Sequence, residues 1–500
     1  VGPLDERHVP RFAYREVLSA EGQQKPYKAH NLLNGDSHGP SFLPTPPEID
    51  VFLRDWQNKG GYANFFELLP PDRYQKEHPD WYAGGQLAMM NPGMRAAMAR
   101  VVVERLRAHA DYRRIWFNLH DMDWGWDMDP ASAAFAQQHG GHPSAPRLDM
   151  VIDVADRVRR ELPGARLAFN AYHWSFTPPT GMTVPDYVLV FPMTIHVDYS
   201  TALNVGRNQA LGRDLAGWAA AARTVQVWDH ITNWSGFLQP TPNLYPIARS
   251  IAWLATLPSV RGYFAEGSWD TPGAEFAVLR VWLIARLLWE PNLDADALVA
   301  EFCGGYYGPQ AGPLVKQAID LLHQRAAVSG DVLGEKANVD LKLFDRDTML
   351  RLDDLMARAE AAAAGRDDYL AHVRAARMPF DYVLLVRRAE YGLTAVDDRL
   401  KRFRETIRVE HVRQYRQGGS LQELEALLAV ERHASTPPMG LPAGEWREIG
   451  DLGVNRYESA WIVADPAASD GGAIRMKGDS GAWAVQLKLD KLPPEGEWDI

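Results

Sequence analysis

A repeating pattern of short apolar stretches and helical stretches runs through the first 290 residues and limits the fold more than any other feature of the chain. This alternation predicts a parallel sheet whose strands are joined by helical crossovers. Eight such units predict a closed (β/α)8 TIM barrel, with helices such as 94–110, 148–162, 208–222 and 245–257 on its outside. The predicted strands are residues 11–16, 63–69, 85–91, 114–120, 166–173, 187–195, 224–229 and 262–266.

The composition changes after residue 290. Residues 291–435 are rich in Ala, Leu and Arg and contain long helical runs such as 352–364 and 382–409, which predicts an α-helical domain. After a Pro- and Gly-containing hinge, residues 436–500 alternate Trp and Val with turn residues, which predicts a β-rich C-terminal segment. Residues 1–290 then form the barrel of an α/β protein.

Charge and cysteine content exclude several classes of protein. The net charge is −11 and no block of Lys and Arg occurs, so we expect neither a nucleic-acid nor a membrane partner. No apolar run reaches the roughly 18 residues that a membrane span needs. Cys303 is the only cysteine, so an internal disulfide or a cysteine-based zinc site is not expected. These features leave the compartment undecided.

Tryptophan is unusually abundant, with 17 residues, and many of them follow apolar strands beside His and Asn. A role in the core is the default explanation for Trp. Rings at strand ends, however, also suit stacking on the apolar faces of sugar rings. The pattern therefore favours a carbohydrate pocket.

Polar side chains cluster where the predicted strands end. In a parallel barrel the loops after the strands form the active-site face, so these residues are candidates for function. They predict a ring of titratable and aromatic groups around one pocket. The candidates are Arg15, Glu16, Asp36, His38, Asn118, His120, Asp121, Asn170, Tyr172, His173, His196, Arg207, Trp228, Asp229, His230, Trp234, Glu266 and Trp269.

Glycosidic bonds are cleaved by one group that protonates the leaving oxygen and another that acts as base or nucleophile at the anomeric carbon. At the end of the fourth strand, His120 stands directly before Asp121. A neutral imidazole base suits a sugar whose anomeric carbon carries a carboxylate, such as sialic acid, because an anionic base would be repelled. Arg15 or Arg207 would pair with that carboxylate.

Structural roles explain the same residues equally well. His120 would serve as a histidine that fixes a loop through Asp121, and Arg15 would serve as the ion-pair partner of Glu16. Glu266 is expected in the pocket, where binding of sugar hydroxyl groups is an alternative to a catalytic role. No pair of histidines at helical metal-ligand spacing occurs, so we expect no metal and no organic cofactor.

Several segments together resemble a bacterial glycoside-hydrolase superfamily. Its relatives include proteins known only by a domain of unknown function, endo-β-N-acetylglucosaminidases of N-glycans, α-glucuronidases, and inverting exo-sialidases of environmental DNA. The resemblance covers residues 10 to 325 and implies a (β/α)8 barrel with a helical extension. The segments are 78–83, 90–92, 227–230, 242–243, 262–267, 287–291 and 301–308.

Within this superfamily the exo-sialidases are the better match. The resemblance implies His120 as base, Asp121 as the residue that orients it, and a carboxylic acid at Glu16, where the family would have Asp, or at Asp36. The N-acetylglucosaminidase branch would require an adjacent acidic pair at the end of the fourth strand, and none is present.

Three hypotheses follow. The first is an inverting exo-sialidase, secreted or periplasmic, that acts on a glycan or sialoside. The second is a β-N-acetylhexosaminidase or endo-β-N-acetylglucosaminidase acting on N-glycans. The third is a non-catalytic carbohydrate-binding barrel. The sequence leaves a homodimer open.

Overall fold

The computed structural model describes residues 9–35, 64–109 and 112–429, and four short strands beyond them. In chain order, the strands of the described residues are β1 Tyr14–Leu18, β2 Tyr82–Ala83, β3 Gln86–Leu87, β4 Trp116–Leu119, β5 Arg166–Ala171, β6 Val188–Thr194, β7 Val225–His230, β8 Val260–Glu266, β9 Gln414–Arg416, β10 Gly419–Ser420, β11 Val454–Arg456, β12 Ala460–Ala464, β13 Gly472–Met476 and β14 Val485–Leu487. Six of them form one parallel sheet in the order β1-β8-β7-β6-β5-β4.

The main sheet is a curved half-barrel of six strands among the described residues, so the predicted closed barrel of eight strands is not confirmed. Two predicted strands have other structures. Residues 65–68, within the predicted second strand, are helical, and the predicted third strand contributes only β3, which pairs antiparallel with β2 across a turn at Gly84. The positive φ of Gly84 favours glycine at this turn.

Among the described residues, Asn64 rather than another strand bonds to the free edge of β4. Its side chain accepts a hydrogen bond from the His120 amide at 3.0 Å and donates one to the Asn118 carbonyl at 2.8 Å. The Asn64 amide itself donates to the His120 carbonyl at 3.0 Å. These bonds satisfy the edge of β4 as a neighbouring strand would, so the chain can turn into a helix immediately afterwards.

Helices cover the outside of the sheet and continue beyond it. Residues 277–429, which include most of the predicted helical domain, are mainly helical. The helices are α1 Lys25–His30, α2 Phe65–Leu68, α3 Pro71–Tyr74, α4 Pro92–Arg107, α5 Pro130–Gln138, α6 Ser144–Glu161, α7 Gln209–Ala221, α8 Leu244–Ala255, α9 Ala277–Trp289, α10 Ala295–Tyr306, α11 Gly312–Ser329, α12 Arg346–Ala362, α13 Asp367–Val386, α14 Asp397–Val409 and α15 Leu421–Ala429. None of the helices in the described ranges has the length and apolarity to cross a bilayer.

Successive side chains of the main sheet face opposite sides, which creates two separate apolar layers. Phe169 and Val190 belong to the large outer core that packs against the helices. Trp116, Phe191 and Phe264 belong to a smaller inner cluster on the concave face. The inner cluster forms an apolar floor, so polar residues further along the same face lie near the carboxyl ends of the strands.

The segment between α11 and α12 returns to the sheet. The Leu333 carbonyl accepts a hydrogen bond from the Tyr199 amide at 2.6 Å, and the Glu335 carbonyl accepts one from the Trp234 amide at 2.7 Å. Both Tyr199 and Trp234 follow strands of the main sheet. The helical part of the chain therefore contributes directly to the face on which the strands end.

We expect Phe169→Ala to lower the free energy of unfolding by about 3–5 kcal/mol, because it leaves a cavity under the helices. The Phe169 ring is fully buried and lies 5.2 Å from the Trp218 ring, measured between centroids. Chemical denaturation followed by circular dichroism measures the change. Val328→Ala, at an exposed position in α11, is the control and should leave the midpoint unchanged. Equal midpoints for both variants would contradict this packing.

Candidate active site

Polar and aromatic side chains from five strands lie together on the inner face, at the carboxyl ends of the sheet. The two-residue period places them there because each is an even number of positions from a residue of the inner apolar cluster. All of them are buried except Glu266, which is partly exposed. They are Glu16 of β1, Asn118 and His120 of and after β4, Asn170 and Tyr172 of and after β5, Trp228 and His230 of β7, and Glu266 of β8.

His120 is fully buried, and its ring lies against the Tyr172 ring at a centroid distance of 5.7 Å. Burial lowers the pKa of His120 well below its ordinary value, and the positive charge of Arg147 lowers it further. The imidazole is therefore neutral at neutral pH, which is the charge state that the sequence hypothesis requires of a base. No bulk solvent reaches it in this arrangement.

Asp121 forms a buried ion pair with Arg147 of α6. The carboxylate oxygen Oδ1 lies 3.1 Å from Arg147 Nη1 and 3.6 Å from His120 Nε2, and Oδ2 accepts a hydrogen bond from Trp174 Nε1 at 2.6 Å. Burial raises the pKa of Asp121 and lowers the pKa of Arg147, and in both cases it outweighs their mutual attraction. The principal partner of Asp121 is thus Arg147, while His120 lies just beyond hydrogen-bond distance.

Glu266 is held from two sides by neighbours on the inner face. Its oxygen Oε2 accepts a hydrogen bond from Trp228 Nε1 at 2.6 Å and lies 3.1 Å from His230 Nε2. His230 Nδ1 contacts the Thr194 carbonyl, which can only accept, so Nδ1 carries a proton. Burial lowers the pKa of His230, but the hydrogen bond and charge of Glu266 outweigh it, and the net pKa is raised above its ordinary value. The Nε2 atom of His230 therefore faces Glu266, and this contact stabilises the protonated form of the imidazole.

A chain of two histidines and a carboxylate borders the same face. His173 Nδ1 lies 3.3 Å from His196 Nε2, and His196 Nδ1 lies 3.2 Å from Glu335 Oε1. Burial and the neighbouring His196 lower the pKa of His173 to about 4. Burial acts to raise the pKa of Glu335, but the hydrogen bond from His196 outweighs it and the net pKa is lowered. The half-exposed Trp126 ring packs on the His173 ring, with 4.7 Å between the ring centroids.

Glu16 lies deeper on the inner face than the other carboxylates. It accepts a hydrogen bond from the Tyr14 hydroxyl, and its Oε1 lies 3.6 Å from Lys28 Nζ. A side chain at Gly35 would collide with it, with a Cβ only 2.3 Å from Glu16 Cβ. This crowding, rather than open solvent, surrounds the residue that the sequence analysis names as acid.

Two predicted substrate-binding residues of the strands point away from the inner face. Arg15 donates hydrogen bonds to the carbonyls of Phe12, Ala13 and Leu32, which fixes its guanidinium in the core. Asp229 lies on the outer face, where it accepts hydrogen bonds from the Thr194 and Tyr263 hydroxyls. Both lie one position out of phase with the inner-face residues, so alternation turns them away.

Arg207 lies on the surface beyond β6, 3.5 Å from Asp198, with most of its side chain exposed. It is therefore not part of the inner-face cluster. Trp234 packs edge-on against Phe237 after β7, and Trp269 is half-exposed after β8. Asp36 and His38 lie outside the described residues.

Sequence reasoning missed Arg147 and Glu335. Trp174 belongs to the polar and aromatic cluster that the sequence places at the end of the fifth strand, although it is not among the predicted site residues. Arg147 lies in α6, and it reaches Asp121 and the end of β5 only through the tertiary fold, so nothing in its sequence neighbourhood marks it. Glu335 lies in the part of the chain predicted to be a separate helical domain, and that boundary concealed it.

Metal binding has no support from the arrangement. Within the described ranges, no three His, Cys, Asp or Glu side chains form a group that could hold a metal ion. His173, His196 and Glu335 form a linear chain of contacts and do not converge on one point.

A sequence profile described as "Domain of unknown function (DUF4838)" matches residues 3–320. No curated protein sequence matches the chain significantly. Among solved structures, a family GH115 4-O-methyl-α-glucuronidase with specificity for decorated arabinogalactans has 13% sequence identity and a TM-score of 0.50, over 91% of this chain and 68% of that one. This likeness concerns the fold.

Two further structures are more distant. A family 89 glycoside hydrolase from Clostridium perfringens has 11% identity and a TM-score of 0.38, over 66% of this chain and 38% of that one. A GH138 enzyme that targets pectin rhamnogalacturonan II has 10% identity and a TM-score of 0.34, over 64% of this chain and 47% of that one. The chain spans less than half the length of each.

We expect Arg147→Met to lower the free energy of unfolding by about 3–5 kcal/mol at pH 7, because it leaves the Asp121 carboxylate buried without its partner. Without Arg147 the pKa of Asp121 in the folded protein rises further above its unfolded value. Stability of the variant is therefore lost as pH rises, and the deficit should be larger at pH 7 than at pH 5.

Urea denaturation at both pH values measures this effect. Asp121→Asn combined with Arg147→Met should recover part of the loss, because the uncompensated charge is removed. Arg157→Met is the matched control on the same helix, since its pair with Asp153 is partly exposed, and it should cost no more than about 1 kcal/mol. A deficit for Arg147→Met that does not change with pH would argue against the buried ion pair.

Proposed function

We propose, from the premise that this chain belongs to the DUF4838 family of domains of unknown function, that it is a glycoside hydrolase. The proposed site is the inner face at the carboxyl ends of β1, β4, β5, β7 and β8. The observation that carries the proposal is that the neutral His120, the carboxyl group of Glu266 and the Trp228 ring lie on the same face of the sheet, at the carboxyl ends of its strands. Hydrolysis of a glycosidic bond uses one group that protonates the leaving oxygen and one that acts as base or nucleophile, and aromatic rings suit the apolar faces of a sugar.

The fold agrees with this class, because the GH115 α-glucuronidase has a similar fold over most of this chain. One fold hosts many chemistries, however, so the proposal rests on the site. The expected partner is a glycan.

Release of sialic acid by inversion is the first of two finer hypotheses. The neutral state of His120 supports it, because a neutral base is not repelled by the carboxylate of a sialoside. The hypothesis also needs a cation for that carboxylate. Neither Arg15 nor Arg207 directs its guanidinium to the inner face, which leaves the hypothesis without the partner that it named.

The second finer hypothesis is hydrolysis of a glycoside whose anomeric carbon carries no charged substituent. Hexosaminides belong to this class. The placement of Glu266 favours it, because this carboxyl group contacts His230 and is the one partly exposed among the polar side chains of the inner face. A sugar carboxylate beside it would meet a like charge.

We expect His120→Asn to lower kcat/KM by about 10²–10⁴-fold if His120 is the base, because that is the usual contribution of a positioned acid–base group. The substrates are a 4-methylumbelliferyl sialoside and a panel of neutral aryl glycosides, including N-acetylglucosaminide. His30→Asn, at an exposed position in α1, is the control and should retain full activity.

Each outcome selects one hypothesis. Cleavage of the sialoside, lost in His120→Asn, selects the exo-sialidase. Cleavage of neutral glycosides alone selects the second hypothesis, and full activity of His120→Asn removes His120 from the chemistry. Sugar binding without hydrolysis of any substrate selects a non-catalytic carbohydrate-binding protein and overturns the proposed function.

A further inference from the structure

The loop after β4 presents an exposed tryptophan that its surroundings hold in place. Trp126 is 41% exposed, and its Nε1 donates a hydrogen bond to the Met122 carbonyl at 3.2 Å. Gln86 Nε2 donates to the carbonyls of Met122 and Trp124 at 2.7 and 2.8 Å, and Gln86 Oε1 accepts a hydrogen bond from the Met122 amide at 3.1 Å. The loop is therefore fixed, and a ligand can use the exposed ring without ordering it first.

A series of ring contacts connects Trp126 with His120. Measured between centroids, the Trp126 ring lies 4.7 Å from the His173 ring, which lies 4.3 Å from the Tyr172 ring, and the Tyr172 ring lies 5.7 Å from the His120 ring. His120 is at the buried end of this series and Trp126 is at the exposed end. A ligand on Trp126 would therefore lie on the solvent side of the residue that the proposed function uses as base.

His173 and His196 both have a left-handed backbone conformation. Their φ angles are +46° and +57°, and each residue stands two positions beyond the last residue of its strand, β5 or β6. Such a conformation is uncommon for residues other than glycine, and it persists where the surrounding structure fixes it, often at ligand-binding sites. At these positions the two rings are in contact, with 3.3 Å between His173 Nδ1 and His196 Nε2.

Glu335 determines which nitrogen atoms of the two histidines carry protons. A carboxylate can only accept, so His196 Nδ1, which lies 3.2 Å from Glu335 Oε1, is the donor. In the neutral His196 ring Nε2 then accepts a hydrogen bond from His173 Nδ1. His173 is neutral at pH 7, because burial lowers its pKa to about 4. Its Nε2 is therefore an acceptor that can receive a hydrogen bond from a hydroxyl group.

The segment that carries Glu335 is fixed to the loops of the sheet. The Glu335 carbonyl accepts a hydrogen bond from the Trp234 amide, and the Ala337 carbonyl accepts one from Asn233 Nδ2 at 2.6 Å. The side chain of Glu335 is 11% exposed, whereas that of His196 is 67% exposed. The two histidines are thus anchored at a mostly buried carboxylate and extend from it into solvent.

Resting on the proposed glycosidase function, we infer that Trp126 and His173 form the binding subsite for the sugar that leaves in the reaction, so that the substrate is an oligosaccharide. The Trp126 ring binds the apolar face of this sugar, and His173 Nε2 accepts a hydrogen bond from one of its hydroxyl groups. Glu335 acts through His196 as a positioning residue for His173. The site is buried at its His120 end and exposed at its Trp126 end, so the departing part of the glycan lies at the exposed end.

Paired substrates test this subsite, because the members of a pair share the reacting sugar and differ in whether a sugar leaves. The pairs are N,N′-diacetylchitobiose with N-acetylglucosaminyl fluoride, lactose with β-galactosyl fluoride, and sialyllactose with sialyl fluoride. Trp126→Ala should lower kcat/KM for the oligosaccharide about tenfold and leave the fluoride of the same pair unchanged. His173→Asn, which tolerates the positive φ, should lower kcat/KM for the oligosaccharide about two- to tenfold.

The role of Glu335 has its own test. Glu335→Ala should lower kcat/KM for the oligosaccharide as much as His173→Asn does, and the double variant should lose no more, because Glu335 acts only through that ring. Glu335→Gln should retain most of the activity, since its side-chain carbonyl still accepts a hydrogen bond from His196 Nδ1. Val332→Ala, at an exposed position of the same segment, is the control and should behave as the unmodified protein. Thermal unfolding of each variant separates lost binding from lost folding.

A glycan array that carries mono- and oligosaccharides measures binding without turnover. The His120→Asn variant should bind oligosaccharides on the array, and Trp126→Ala in the same chain should abolish this binding. Equal effects of Trp126→Ala on both members of a pair, or array binding that is absent or independent of Trp126, overturn the inference and leave the glycosidase function standing. Absence of turnover on every substrate by the unmodified protein overturns the proposed function, whether or not array binding depends on Trp126.

Discussion

Parallel pairing of six strands is the constraint on which the other features of this protein depend. It brings the carboxyl ends of all six strands to one edge, and the two-residue alternation divides the side chains at that edge between two faces. Glu16, His120, His230 and Glu266 therefore lie on one face although up to 250 residues separate them, while Arg15 and Asp229 turn to the opposite face. The inner apolar cluster fills the space below them, so the chemistry is confined to one end of the sheet.

Burial of charge shapes the part of the site around β4 and β5. Asp121 and Arg147 lie between the sheet and α6, where neither would remain charged without the other. Arg147 also donates to the Asn170 carbonyl at 2.7 Å, so the ion pair connects the ends of both strands. This pair holds the backbone beside His120, and its positive end contributes to keeping that imidazole neutral. A structural interaction on the outer face thus adds to the effect of burial on the charge state of a residue on the inner face.

The helical region is part of the same functional unit as the sheet. Its segment between α11 and α12 hydrogen-bonds to the loops after β6 and β7, and it delivers Glu335 to His196. Glu335 contacts His196, which in turn contacts His173. The predicted boundary at residue 290 therefore falls between His196 and Glu335, which are in contact.

The sequence by itself determined the strand–helix period, the positions of β4 to β8 within a few residues, and the concentration of titratable groups at strand ends. These features are local, because periodicity and strand-end composition are written in short windows. It also contained the alternation that separates His230 from Asp229, although strand-end position alone predicts both as site residues. Only the tertiary structure decided that Asn64 takes the place of a strand beside β4, that Arg147 pairs with Asp121, and that Glu335 reaches the site. Each of these is a contact between distant parts of the chain, and local sequence patterns do not specify which distant partner satisfies a buried polar group.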